Sequence, residues 1–257
     1  MLFRFRDAQG RVRGMKRAWV ILGALVLLAL IGRGLQQLLV HVEKRREVAV
    51  PVLMYHRIGD GGDSAWWVPA AVFDQQMKFL ADAGYTAVLP SDLVAKRKRG
   101  RRLPEKPIVI TFDDGSLNCL TEAEPILKRH GLRAVNFLIT DYVADRAEDR
   151  MRYEDSDCLV WPEVREMLAR GTVSFGGHSK SHANLRAMGK RAKAEIEACW
   201  EALVAHGVER PEGFCFPYGE YKEETLEALR WSPFKIGFSV EDRLARVGGT
   251  NSLLAVP

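Results

Sequence analysis

The chain has 257 residues, 47% apolar and 28% charged, with 22 Gly and 11 Pro. This composition supports one large or two small globular domains and excludes a disordered or collagen-like polypeptide. Four cysteines are too few to staple a chain of this size. The net charge of +5 first suggests a polyanion partner, but six basic residues against Asp7 within the first seventeen positions carry all of it. The remainder is neutral, so no nucleic-acid partner is expected.

The basic head, residues 1–17, runs directly into residues 18–32, fifteen uncharged positions built mainly from Leu, Ala, Val and Ile. At 1.5 Å per residue that run spans roughly 22 Å, short of a ~30 Å hydrocarbon core. Extension through Leu35, Leu38, Leu39 and Val40 supplies the missing length if Arg33 snorkels to a headgroup. A cleavable leader needs a small-x-small site, and the nearest, Gly32-Arg33-Gly34, carries an arginine in its middle. The expectation is therefore an N-terminal transmembrane or signal-anchor helix over residues 18–40, with secretion after cleavage as the alternative. The positive-inside rule keeps the head in the cytoplasm and puts the rest outside the inner membrane. Residues 41–48 read as a solvated linker, and residues 49–257 as the functional domain.

From Val48 onward, short β-rich runs alternate with helical periodicity. The predicted strands cover residues 48–55, 86–89, 107–112, 134–140, 172–176, 213–216 and 235–240. Between them, apolar positions recur at helical spacing: Phe73, Met77 and Leu80, then Val164, Met167 and Leu168, then Ile196, Cys199 and Leu203. Alternating β and α units whose strands are continuous apolar runs imply a parallel sheet covered by helices, and seven units suit a closed or nearly closed barrel. In such folds the chemistry lies beyond the C-terminal ends of the strands.

The third strand ends in Asp113-Asp114-Gly115. Neighbouring side chains on extended backbone diverge, so one carboxylate can bind a metal while the other faces a reacting water. A helix cap would account for one aspartate but not for two. The fifth strand ends in Gly176-Gly177-His178-Ser179-Lys180-Ser181-His182, and two imidazoles at this spacing can converge on one ion. With one aspartate they make a two-His, one-carboxylate face. No Cys-x-x-Cys pair competes for a metal. The turn Pro217-Tyr218-Gly219 can present a main-chain N–H to a developing oxyanion, although such turns are common.

Thr111-Phe112-Asp113-Asp114-Gly115, His178-x-x-x-His182 and Phe214-x-x-Pro217-Tyr218-Gly219, in this order, resemble the signature of the polysaccharide deacetylases, the NodB-homology domains or family 4 carbohydrate esterases. Tyr55-His56-Arg57-Ile58 and Trp161-x-x-Val164-Arg165-Glu166-Met167 also resemble it, most closely the poly-β-1,6-N-acetylglucosamine deacetylase branch. The resemblance covers roughly residues 49–240. It implies an α/β distorted (β/α)7 barrel that removes acetyl groups from an N-acetylated polysaccharide of the cell envelope. It further implies that Asp114, His178 and His182 bind a divalent ion, most simply Zn²⁺, that Asp113 is the general base, and that the Tyr218 N–H stabilises the oxyanion.

Two departures stand out. Cys215 occupies a position where many relatives carry an arginine that steadies the catalytic aspartate, and no histidine follows His206 to protonate the leaving amine. His56, just after the first strand, is a candidate for that acid, set against a purely structural role. Two alternatives remain open: a non-catalytic glycan-binding protein on the same scaffold, and an enzyme for a different acyl substrate. Trp66 and Trp67, after a glycine-rich loop, are candidates to stack on sugars, whereas Trp161, Trp200 and Trp231 are expected in packing and His130 and His206 in structural roles. The basic run 96–102 reads as a solvated helix end and loop. Residues 142–158 read as an insertion bordering the groove.

Overall fold

The computed structural model describes residues 13–61, 64–249 and 251–257. Most of the basic head, together with Gly62 of the glycine-rich loop, therefore lies outside the described residues. A helix, α1 (Arg13–Arg45), leads into β1 (Val48–Val50), β2 (Val52–Tyr55), β3 (Arg57–Ile58) and β4 (Trp67–Val68). Then follow α2 (Ala70–Asp82), β5 (Thr86–Ala87), α3 (Pro90–Arg99), β6 (Pro107–Phe112), α4 (Glu124–Arg129) and β7 (Ala134–Leu138). A hairpin of β8 (Arg152–Tyr153) and β9 (Ser156–Asp157) precedes α5 (Trp161–Arg170), β10 (Val173–Gly177), α6 (Leu185–Met188) and α7 (Ala192–Ala205). The chain ends with β11 (Phe214–Cys215), α8 (Glu223–Trp231), β12 (Gly237–Phe238) and β13 (Ala245–Val247).

Seven parallel strands form one sheet in the order β12-β11-β10-β7-β6-β2, with β5 also paired to β6. They correspond to the seven runs expected from the sequence. The sheet curls into a barrel that is left open between β2 and β12, and the C-terminal segment crosses the gap. There β13 pairs antiparallel with β1, while Gly237 and Ser239 donate to Leu253 and Val256 carbonyls at 2.8 and 2.7 Å. The predicted strand 48–55 is thus two strands, because Pro51 interrupts it and the halves take different partners.

Alternation along the strands divides the core. On β6, Ile108, Ile110 and Phe112 pack toward the helices. Val109 packs inside the barrel with Val135, Phe137, Ile236, Phe238 and the returning Val247 and Val256. Asp113 follows the parity of Val109 and so points inward, whereas Asp114 would point outward were its backbone regular. Glycine makes close approach possible on β10: a Cβ on Gly177 would lie 2.7 Å from Cys199 Sγ and 2.8 Å from Phe234 Cζ. Gly177→Ala is therefore expected to destabilise the domain by about 1–3 kcal/mol, read from the urea midpoint of unfolding.

Three expectations are corrected. Residues 41–45 are not a solvated spacer but the continuation of α1, which packs on α3. Lys96 is fully buried rather than solvated, because the Glu43 carboxylate takes its charge at 2.7 Å. Trp231, at the end of α8, is 74% exposed, while Trp161 is buried and Trp200 packs edge-on against Phe234. His130 bonds Asp74 at 2.7 Å, and His206 stacks on Trp161 with centroids 4.2 Å apart, both structural settings.

Candidate active site

Asp113, Asp114, His178, His182, Tyr218 and His56 all line one cavity of about 220 Å³ at the C-terminal ends of the strands. The backbone makes this possible. Asp114 has φ +71° and Gly115 φ +78°, so the chain turns sharply after β6 and swings the Asp114 carboxylate back over the rim. Gly115 has no room for a side chain, since a Cβ there would meet Leu138 Cδ2 at 2.8 Å. Neither aspartate caps a helix: Asn118 precedes the next one, and no side-chain cap bond is made.

The histidine pair is set by a second strained turn. Ser179 and His182 have φ +63° and +60°, and the Ser179 Oγ accepts the His182 N–H at 2.9 Å. Each imidazole has its Nδ1 engaged by another group. His178 Nδ1 bonds the Cys215 carbonyl at 2.9 Å, and His182 Nδ1 meets the Tyr153 hydroxyl at 2.7 Å. An Nδ1–H donated in both cases leaves both Nε2 lone pairs facing inward. Each Nε2 lies 3.7 Å from Asp114 Oδ1. Burial drives both imidazoles down to about 3, so both are neutral.

Asp114 Oδ1 is buried without a hydrogen-bond partner. A buried, orphaned carboxylate oxygen facing two neutral imidazole nitrogens is costly alone and is satisfied by a cation. The donor set, one oxygen and two nitrogens with room for further ligands in the cavity, fits Zn²⁺ or another first-row divalent ion. Among the described residues a second trio, Asp113, His178 and Cys215, also converges. It shares His178, whose Nδ1 is already bonded to the Cys215 carbonyl, and so belongs to the same site.

Asp113 is 3% exposed. Burial first, then the neighbouring Asp114 charge, push its carboxyl up to about 8. Its Oδ2 accepts a bond from Cys215 Sγ at 3.4 Å, while Oδ1 has no partner. Burial raises the thiol well above its ordinary range, so Cys215 stays protonated and can donate. Tyr218, at φ +59°, stands its exposed ring edge-on to His182, with centroids 4.6 Å apart. Gly219 fits the same turn only because it lacks a side chain: a Cβ would sit 2.1 Å from Val240 Cγ2. His56 leans on Trp66, centroids 4.5 Å apart, and burial lowers its pKa. Trp66 faces the cavity, whereas Trp67 bonds Asp155 at 2.8 Å.

Sequence reasoning missed Arg57, Tyr153 and Glu154. Arg57 is 1% exposed and reaches Asp114 Oδ2 at 3.6 Å, Glu154 at 3.0 Å and Asp155 at 3.1 Å. It holds one oxygen of Asp114 and leaves the other for the imidazoles. The signal was an arginine inside an otherwise apolar β-run beside His56. Tyr153 and Glu154 come from the insertion, which two backbone bonds tie to the Asp-Asp turn: Leu117 N to Asp157 O at 2.7 Å and Leu159 N to Gly115 O at 2.8 Å.

The polysaccharide deacetylase family model matches residues 100–236, more than half of the chain. The chain belongs to the polysaccharide deacetylase family. YxkH of Bacillus subtilis (strain 168), named as a candidate polysaccharide deacetylase, is 26% identical over 201 residues, 78% of this chain and 67% of that one. A poly-β-1,6-N-acetyl-D-glucosamine N-deacetylase of Staphylococcus aureus (strain MRSA252) is 24% identical over 188 residues, 68% of this chain. The aligned part spans 62% of that enzyme's length. The Streptococcus pyogenes deacetylase PplD, solved with acetate, superposes with a TM-score of 0.71 at 23% identity, covering 82% of this chain and 91% of PplD. That likeness establishes the curled α/β barrel.

Proposed function

We propose that this chain is a divalent-cation-dependent hydrolase that removes N-acetyl groups from an N-acetylglucosamine-containing polysaccharide of the cell envelope. The observation that carries this reading is the orphaned Asp114 Oδ1 facing the Nε2 atoms of His178 and His182, with a second buried carboxylate beside it. A cation held there would polarise the amide carbonyl and lower the pKa of an attacking water. The substrate class draws on the named activity of the S. aureus relative. Within Ile21–Arg45 an 18-residue window of mean hydropathy 1.7, none of it buried, supports an anchor in the inner membrane with the catalytic domain outside.

Asp113 is the general base. Its carboxylate is desolvated and held by a single thiol, which makes it a strong proton acceptor near neutral pH. The Tyr218 N–H is the oxyanion donor, carried on a turn that the Gly219 N–H closes by bonding the Phe216 carbonyl at 2.8 Å. His56 lies on the cavity wall with Trp66 and is the proposed proton donor to the departing amine. Trp66, about half exposed, offers a flat face for a sugar ring. Cys215 replaces a charged partner of the base with a neutral one. Cys215→Ala is expected to slow acetate release about five- to tenfold, the worth of one weak bond to a charged group, with bound metal unchanged by elemental analysis.

The test is enzymatic acetate release from β-1,6-linked N-acetylglucosamine oligomers beside chitin oligomers and peptidoglycan fragments. Release from at least one of them, greatest with the β-1,6-linked series, is expected. No release from any of the three, by protein carrying one equivalent of divalent ion, contradicts the reading.

A further inference from the structure

The basic run at residues 96–102 takes no part in the active site. It closes α3 and leads into the start of β6, at the end of the sheet opposite to the catalytic cavity. From there β6 runs six residues before reaching Asp113, about 20 Å at ~3.3 Å per residue. The C-terminal end of α1 arrives at the same place and is fastened there. Besides the buried Lys96–Glu43 pair, a Cβ on Gly100 would meet the Val40 carbonyl at 2.8 Å, which shows how closely the two helices approach. Gly249 N donates to the Lys44 carbonyl at 3.1 Å, and Asn251 Nδ2 donates to Glu47 at 3.2 Å. Helix and domain are therefore joined by packing and hydrogen bonds through residues 40–47, not by a free tether.

Around this junction Arg45, Arg46, Lys98, Arg99, Arg101 and Arg102 are exposed. Glu105 apart, the nearby acids are committed. Glu43 is held by Lys96 and approached by Arg102 at 3.8 Å, Asp92 pairs with Arg101 and Arg133, and Glu47 accepts from Asn251. A dense positive face remains, in a stretch from residue 18 to 257 that is neutral in sum, and it lies beside the base of an apolar helix. The arrangement is complementary to an anionic bilayer surface, which attracts clustered Lys and Arg within a Debye length.

We propose that this strand-N-terminal face of the barrel docks on anionic phospholipid headgroups and holds the catalytic mouth away from the bilayer. The proposal rests on the reading of α1 as a membrane span. Its consequence for specificity is that the enzyme takes polymer presented from the envelope side, not a substrate lying in its own membrane.

The test uses the full chain reconstituted into vesicles of phosphatidylcholine alone or with phosphatidylglycerol. A fluorescent donor is placed at Glu105→Cys, beside the basic loop, or at Arg186→Cys, beside the catalytic mouth, with an acceptor on the lipid headgroups. Co-flotation with both vesicle types tests the anchor. The expected result is flotation with both, and energy transfer from position 105 that exceeds that from position 186 and rises when phosphatidylglycerol is present. High salt, or the combined K98E, R99E, R101E and R102E change, is expected to abolish that rise. Flotation with transfer indifferent to lipid charge, or stronger from position 186, overturns the docking face while leaving the anchor standing. Failure to float with either composition overturns the anchor reading and the proposal with it.

Discussion

An Asp113→Asn enzyme is expected to release acetate ~10²–10⁴-fold more slowly than the native chain, the range lost when a positioned general base is removed. Its bound divalent ion should be unchanged. The separation follows from the geometry. Asp113 hydrogen-bonds Cys215 and neither imidazole, and the amide occupies the same space as the carboxylate. The substitution also replaces an acid whose ionised form burial and the neighbouring Asp114 carboxylate disfavour, so the fold should not suffer. Steady-state acetate release and elemental analysis of the same preparation check both halves. Residual activity within tenfold of native would remove Asp113 from the role of base.

Asp114→Asn is expected to fail in the opposite order, losing the ion first and the activity as a result. The only anion among the three donors becomes a neutral amide oxygen, so the carboxylate ligand is lost. Changes to groups that merely orient metal ligands already cost ~10–100-fold in affinity, so loss of a ligand should cost at least ~100-fold and leave the purified enzyme without stoichiometric metal. Arg57 still keeps Glu154 and Asp155 at 3.0 and 3.1 Å, which limits the damage to the fold. Isothermal titration with Zn²⁺ into metal-free protein measures the affinity, and circular dichroism confirms folding. Native-like Zn²⁺ affinity in this variant would contradict the assignment of Asp114 as a ligand.

The parts of the molecule legible in the sequence are those whose information is local. β6 runs over residues 107–112 as expected, because it is buried on both faces and reads as an uninterrupted apolar run ending in polar residues. The Asp-Asp-Gly and His-x-x-x-His segments could be placed at strand ends for the same reason. What escaped depends on distant partners. The split at Pro51 makes sense only once β13, nearly two hundred residues later, pairs with β1. The helical continuation through Glu43 depends on Lys96, which nothing in residues 41–47 announces. Tyr153 and Glu154 enter the cavity through a hairpin whose sequence is charged and irregular, and whose anchoring is made by backbone rather than by any recognisable motif.

Arg57 is the most instructive omission. Its charge within an apolar run was visible, but its role depends on three carboxylates from two other segments, so position alone could not assign it. It also bears on the absent arginine at Cys215. The guanidinium in this site orients Asp114, the proposed metal ligand, while Asp113, the proposed base, relies on a thiol. Two jobs, holding the ligand and holding the base, are thus divided between a cation and a neutral donor.

Asp114, His178 and His182 are proposed to hold one divalent ion. Anomalous diffraction from crystals grown with Zn²⁺, recorded on both sides of the zinc absorption edge, tests this directly. A single strong peak about 2.0–2.2 Å from Asp114 Oδ1 and from the Nε2 atoms of His178 and His182 is expected. A cavity with no anomalous peak, or a peak ligated by other side chains with these three pointing away, would contradict it.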